Sequence, residues 1–149
     1  MRTTFAGWCE QLSQSVVGPS IDHNDLHLGN VFHSSPGRFC FYDWGDSVVA
    51  HPFASMLVGL GSVRRQLGVS VDDPVVTRPR DAYLEVFTDL APRRELLAEM
   101  RLACTVGKVA RALVWQRTVG MEGAPADEAS TPLDAFAALL SESWLDAWG

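Results

Sequence analysis

At 149 residues with 47% hydrophobic side chains and a mean hydropathy of +0.04, the chain can bury the core of one compact domain, and a single domain over residues 1–149 is expected. A net charge of −6, from 18 acidic and 12 basic residues, argues against a nucleic-acid surface, which needs clustered Lys and Arg. No apolar run reaches the roughly 18 residues that cross a bilayer and MRTTFAGWCEQ lacks a signal core, so a cytoplasmic protein is expected, with no nucleic acid or membrane partner.

Residues 4–17 place Phe5, Trp8, Cys9, Leu12 and Val16 at helical spacing, and Gly18–Pro19 ends that helix. The stretch 20–30 is poor in helix signals and rich in His, Asp and Asn. Val31–Phe32 and Phe39–Cys40–Phe41–Tyr42 then read as two strands joined by a turn containing Pro36–Gly37. Pro52 suits the first turn of a helix running through Leu57 and Leu60 to about Leu67. A proline-containing loop over 68–79 is expected to lead to a helix near Asp81–Leu90 with Tyr83, Leu84, Val86 and Phe87 inward. A longer helix begins at Pro92, burying Leu96, Leu97, Met100, Ala103, Leu113 and Val114 among others. Residues 120–131 read as a linker, and Thr131–Pro132 opens a terminal helix carrying Leu133, Phe136, Leu139, Leu140, Trp144 and Trp148. The architecture expected is mostly α with a short β-hairpin.

Cys9, Cys40 and Cys104 lack paired metal or disulfide spacing and are expected as reduced core residues. Trp8, Trp115, Trp144 and Trp148 are likewise assigned to packing, whereas Trp44 adjoins the polar segment described next. The basic residues, Lys108 and Arg111 included, are assigned to solvated helix faces.

The chemistry concentrates in IDHNDLHLGNVFHSSPGRFCFYDWGD, residues 21–46. Asp25 stands five residues before Asn30, and the hairpin returns Asp43 beside Asn30. A carboxylate can orient an acceptor hydroxyl and take its proton, while an amide oxygen and a second carboxylate suit magnesium, which prefers hard oxygen ligands. That combination fits phosphoryl transfer, which asks a protein mainly to position groups and neutralise charge. Taken singly, Asp and Asn in loops are commonly turn or cap residues, so the inference rests on the combination. His27 can touch phosphate or metal or close a bond within its loop, and Asp46 can make a metal or substrate contact or cap a turn. His51 before Pro52 is expected as a cap or surface residue, and His33 as exposed.

The segment resembles the catalytic and metal-binding loops of the aminoglycoside phosphotransferase family, relatives of choline and protein kinases. His23, Asp25 and Asn30 match H-x-D-x-x-x-x-N, Asp43–Trp44 matches the following Asp-aromatic pair, and His27–Leu28–Gly29–Asn30 resembles H-P-G-N with Leu28 in place of proline. The resemblance implies a C-terminal lobe of a protein-kinase-like α+β fold, with Asp25 as base, Asn30 and Asp43 on Mg2+, and His23 supporting the loop. It implies ATP, or another nucleoside triphosphate, as donor and a small-molecule hydroxyl as acceptor. HPFASML, residues 51–57, resembles D-P-x-x-D-L with His51 and Ser55 replacing the two acids.

The glycine-rich hairpin and strand lysine that cover a nucleotide's phosphates in kinases find no match before residue 20. Lys108, the chain's single lysine, falls in a late helix, and Gly59–Leu60–Gly61–Ser62 lies inside a helical pattern. A truncated catalytic lobe is therefore expected, its N-terminal lobe absent or supplied by a partner chain. The carboxylates Asp72, Asp73, Asp81, Glu85, Glu122, Asp127 and Glu128 could attract a cationic acceptor, though solvation of helix faces accounts for most such charges. Two alternatives are an inactive pseudo-phosphotransferase or partner-dependent binding module, and a zinc hydrolase using the alternating His23, Asp25 and His27.

Overall fold

The computed structural model describes residues 2–119, 131–140 and 143–146. Its helices are α1 (Arg2–Ser13), α2 (Met56–Leu67), α3 (Pro74–Glu85), α4 (Arg93–Val119) and α5 (Thr131–Ala137). Two antiparallel pairs complete it: β1 (Ser20–Asp22) with β4 (Val48–Ala50), and β2 (Val31–Ser35) with β3 (Arg38–Phe41). The mostly helical architecture and the hairpin agree with expectation, whereas the β1–β4 pair was not anticipated. Three-residue strands give too short an alternation to register as periodicity.

The core gathers around Phe53, Leu57, Leu84, Leu96, Met100, Cys104 and Leu145, all essentially inaccessible. Phe53 stands edge-on to Phe87 and Tyr83, with ring centroids 4.9 and 5.9 Å apart. The Tyr83 hydroxyl donates to the Pro52 carbonyl at 2.9 Å, and burial pushes its pKa up to about 12. Cys104 donates to the Phe53 carbonyl at 3.4 Å, and burial raises its thiol well above the ordinary value.

Several boundaries differ from expectation for identifiable reasons. α1 ends at Ser13 rather than near residue 17. Ser13 Oγ bonds the Glu10 carbonyl and Ser15 Oγ accepts the Val17 N–H, local serine bonds that compete with the helical ladder. Phe5, Trp8 and Leu12 are half-buried, but Cys9 and Val16 are exposed, and Val17 enters the core instead. The predicted loop over 68–79 contains the start of α3, because Asp73 accepts the Val75 N–H as N-cap and Pro74 occupies the first turn. That helix stops at Glu85 and leaves Val86 and Leu90 exposed. Cys40 is also exposed, so two of the three cysteines expected inside lie outside the core. Trp144 is buried, while Leu113, Leu133, Phe136 and Leu140 are exposed. Residues 120–130 and Trp148 lie outside the described residues.

Lys108 is the largest departure on the basic side. It is 1% exposed, and its ammonium donates to the carbonyls of Ala138 at 2.7 Å and Ser143 at 2.8 Å. Burial lowers its pKa. One buried cation thus supplies donors to two carbonyls that follow α5.

His51 joins the strand region to α4. Its Nδ1 accepts the Phe53 N–H at 3.2 Å, capping the 3-10 turn Pro52–Ser55. That requires the proton on Nε2, which lies 2.9 Å from Glu99 Oε1 and 3.2 Å from Ser15 Oγ. Burial lowers the His51 pKa below 6.5, against the opposing pull of Glu99. Protonation would also put a hydrogen on Nδ1 and remove the cap acceptor.

Because the folded pKa is the lower one, the unfolded chain binds this proton more readily. The His51 contribution to stability is therefore complete above pH 6.5 and is lost as pH falls through the folded value. Urea unfolding across pH 5–8 is expected to show a smaller acid-side loss in His51→Asn, whose amide oxygen retains the cap acceptor. Superimposable pH dependences would refute this assignment.

Candidate active site

The site is built on two nested antiparallel pairs. Ser20 pairs with Ala50, Ile21 with Val49 and Asp22 with Val48, closing residues 20–50 into one loop. Inside it Val31 pairs with Phe41 and Phe32 with Cys40, and the Tyr42 N–H donates to the Asn30 carbonyl at 2.9 Å. The ladder therefore carries Asn30 to the backbone position just before Asp43.

Asp22 governs how the chain leaves β1. Only 2% exposed, it accepts the Asn24 N–H at 2.9 Å and the Ser55 hydroxyl on the same Oδ1. Asn24 adopts a left-handed conformation with φ of 62°, which Asn tolerates because its side chain can bond locally. Here its Nδ2 donates to the Asp46 carbonyl at 3.3 Å. Asp25 follows directly. Ser55 thus ties the exit of β1 to the 3-10 turn Pro52–Ser55 through the buried Asp22 carboxylate, whereas His51 bonds Phe53, Glu99 and Ser15.

Asp25 is only partly covered, with 19% of its side chain accessible. Its Oδ1 is buried, 2.6 Å from Arg111 Nη1. Its Oδ2 lies 3.5 Å from Asn30 Nδ2 and 3.6 Å from His27 Nε2. The Asn30 amide also donates to the Asp25 carbonyl at 3.0 Å, so its nitrogen is turned to Asp25 and its oxygen is left for another partner. Asp43 is exposed, left-handed at φ 57° and ψ 60°, and makes no side-chain cap bond to the 3-10 turn Trp44–Asp46. These are two carboxylates and one amide on adjoining backbone, all hard oxygen donors.

The histidines divide by role. His23 is 3% exposed. Its Nε2 donates to the Tyr42 carbonyl at 2.6 Å, and its ring lies 4.7 Å from that of Trp44. It therefore ties the exit of β1 to the exit of β3. His27 caps the 3-10 turn Leu28–Asn30, with Nδ1 accepting the Gly29 N–H at 3.0 Å. A Cβ on Gly29 would fall 2.9 Å from that nitrogen and 2.8 Å from Cε1, so His27 and Gly29 form one packing unit. With His23 directed at Tyr42 and His27 at Gly29 and Asp25, the two rings do not face a common ion. Among the described residues no three His, Cys, Asp or Glu side chains form a metal-binding group, which argues against the zinc reading.

Asp46 contributes its carbonyl to Asn24, and its carboxylate lies 3.6 Å from Arg117. His33 is exposed beside the turn. Gly59–Ser62 lies within α2, where a Cβ on Gly59 would sit 3.4 Å from the Leu26 carbonyl, so that glycine permits helix and loop to approach. Among the carboxylates considered for an acceptor, Asp73 caps α3 and Asp81 pairs with Arg80 and Arg93. Glu122, Asp127 and Glu128 lie outside the described residues. A cavity of about 550 Å³ between α1 and α4, lined by Cys9, Ser15, His51, Ala54 and Gly107, reaches Asp22 but not Asp25, Asn30 or Asp43.

Arg111 is the site residue that sequence reasoning assigned to solvent, yet it is 5% exposed. The available signal was its place on an apolar stripe of α4: Cys104, Lys108, Arg111 and Trp115 recur every three or four residues.

A family model described as the phosphotransferase enzyme family matches residues 5–102, more than half of the chain. No curated protein and no solved structure matches it.

Ser55→Ala is expected to leave the buried Asp22 carboxylate short of one donor and to lower stability by about 1–3 kcal/mol in urea unfolding. It should also quicken amide exchange across residues 23–30. An unchanged midpoint and unchanged exchange would show that Asp22 does not depend on this hydroxyl.

Proposed function

The chain belongs to the phosphotransferase enzyme family, and from this we propose that it is the catalytic lobe of an ATP-dependent O-phosphotransferase with a kinase-like C-terminal lobe fold. It would transfer the γ-phosphate to a hydroxyl of a small molecule, with Mg2+ as the metal. What supports the reading is the contact of Asn30 with Asp25 together with the backbone ladder that sets Asn30 opposite Tyr42, the residue before Asp43. The Asn30 side chain bonds the Asp25 carbonyl, and its carbonyl accepts the N–H of Tyr42, next to Asp43.

Asp25 is assigned the acceptor hydroxyl, which it orients and from which it takes a proton. Asn30 and Asp43 are assigned the metal, Asn30 through the amide oxygen left over by its bond to Asp25, and Asp43 through a carboxylate not used in capping. One amide and one carboxylate suit Mg2+, which retains waters and phosphate oxygens instead of entering a complete protein cage. When bound, the metal supplies charge neutralisation at the phosphates. His23 and His27 hold the loop, and Asp46 supports it through Asn24.

Contacts to the rest of the nucleotide are assigned to another segment or a partner chain. Lys108 is committed to the carbonyls of Ala138 and Ser143 and cannot also serve a phosphate. Phe32, Phe39, Phe41 and Tyr42 stand 63, 60, 49 and 55% exposed on the hairpin. They favour a second reading, in which the chain binds a partner and turns over weakly or not at all alone, since contiguous apolar surface commonly marks an interface.

Magnesium-dependent ATP consumption by the purified chain is expected to fall about 100-fold or more in Asp25→Asn, with Mg-ATP binding weakened in Asp43→Ala. Turnover unaffected by Asp25→Asn would overturn the transferase reading. Mg-ATP binding that survives in the parent without turnover would favour the partner-dependent reading, and binding identical in parent and Asp43→Ala would defeat the proposed metal role.

A further inference from the structure

Arg111 reaches the candidate site from α4, beyond the stretch shared with the family. We propose that it is a positioning residue for Asp25, engaging one carboxylate oxygen so that the other is directed to the acceptor. The inference rests on the phosphotransferase reading above.

The geometry separates the two oxygens of Asp25. Oδ1 is buried and lies 2.6 Å from Arg111 Nη1, whereas Oδ2 has only longer approaches, 3.5 Å from Asn30 Nδ2 and 3.6 Å from His27 Nε2. Arg111 Nη1 also donates to the Asn24 carbonyl at 3.4 Å. That carbonyl belongs to the left-handed residue whose N–H is held by buried Asp22. One guanidinium therefore meets both the backbone before Asp25 and the side chain of Asp25. Its own orientation is limited by burial and by Trp115, whose ring centroid lies 5.2 Å from Arg111 Cζ. Both contacts fall on Nη1, which the rigid guanidinium plane holds in place, whereas a lysine ammonium on its flexible stem is less fixed in direction.

In the reaction, the acceptor oxygen bonds the γ-phosphorus as the bond from that phosphorus to the β,γ-bridging oxygen breaks. The electron pair leaves on ADP, and the acceptor's proton passes to Asp25 Oδ2. Arg111 touches neither substrate. Its effect is on the fraction of time Oδ2 points at the hydroxyl, so its loss should lower kcat and leave the Mg-ATP KM nearly unchanged.

The test uses the full chain, Mg-ATP and water as acceptor, together with NMR of arginine labelled with 15N. The Arg111 Nη signals are expected to be resolved in the parent and to collapse in Asp25→Asn, as guanidinium rotation is released. Arg111→Met is expected to lower kcat about 10- to 100-fold with KM within about twofold, and Arg111→Lys to recover part of the loss. If Arg111→Met does not fold, Arg111→Gln, which retains a donor for Asn24, serves instead. Nη signals indifferent to Asp25→Asn would overturn the inference. So would parent-like kcat in Arg111→Met or Arg111→Gln when Asp25→Asn is inactive, or failure of Arg111→Lys to recover any loss. If instead Asp25→Asn turns over like the parent, the phosphotransferase reading fails and this inference with it; if the parent shows no turnover, the Nη signals alone decide, and their indifference to Asp25→Asn overturns the inference.

Discussion

The buried carboxylate of Asp22 is the constraint on which the site depends. A charge removed from water must be met by donors, and Asp22 is met by the Asn24 N–H and the Ser55 hydroxyl. The first bond helps to hold the left-handed turn from which Asp25 emerges, and the second fixes that turn to the 3-10 segment before α2. Because Phe53 of the same segment lies at the centre of the core, the loop geometry is tied to the best-packed part of the molecule. Loops carry function most effectively when a rigid scaffold places them.

A second layer of control comes from α4. Lys108 and Arg111 lie on one side of this helix, the first bonding the segment after α5 and the second reaching Asp25. Arg117, further along, lies near Asp46. One helix therefore links the C-terminal carbonyls, the candidate base and the turn following Asp43. Removing one member of such a buried charge pair costs more than the pair itself contributes, because the remaining charge is stranded.

Much of this was legible in the sequence, for reasons that differ by element. α2, α4 and the hairpin were readable because their apolar positions repeat at 3.6 or 2 residues and their turns carry Pro and Gly. The approach of Asn30 to Asp43 followed from hairpin topology alone and agrees with the observed ladder. The start of α3 was missed because Pro74 and Pro79 read as loop punctuation, although Asp73–Pro74 is also a cap and first-turn pair. Arg111 and Lys108 were misassigned because charge normally signals solvent. Their burial depends on carbonyls and carboxylates contributed from 30 and 87 residues away in the chain, as at Ala138 and Asn24, which no local pattern records.

The burial of the single lysine has a chemical consequence of its own. Surface amines are the usual targets of acylating reagents, yet the only side-chain amine here is enclosed between α4 and the carbonyls of Ala138 and Ser143. The amine can meet a reagent only when that enclosure opens, so its modification is proportional to how often α4 and these carbonyls separate. Acylation of Lys108 would consequently act as an internal clock for detachment of the C-terminal segment from α4, without a label having to be introduced.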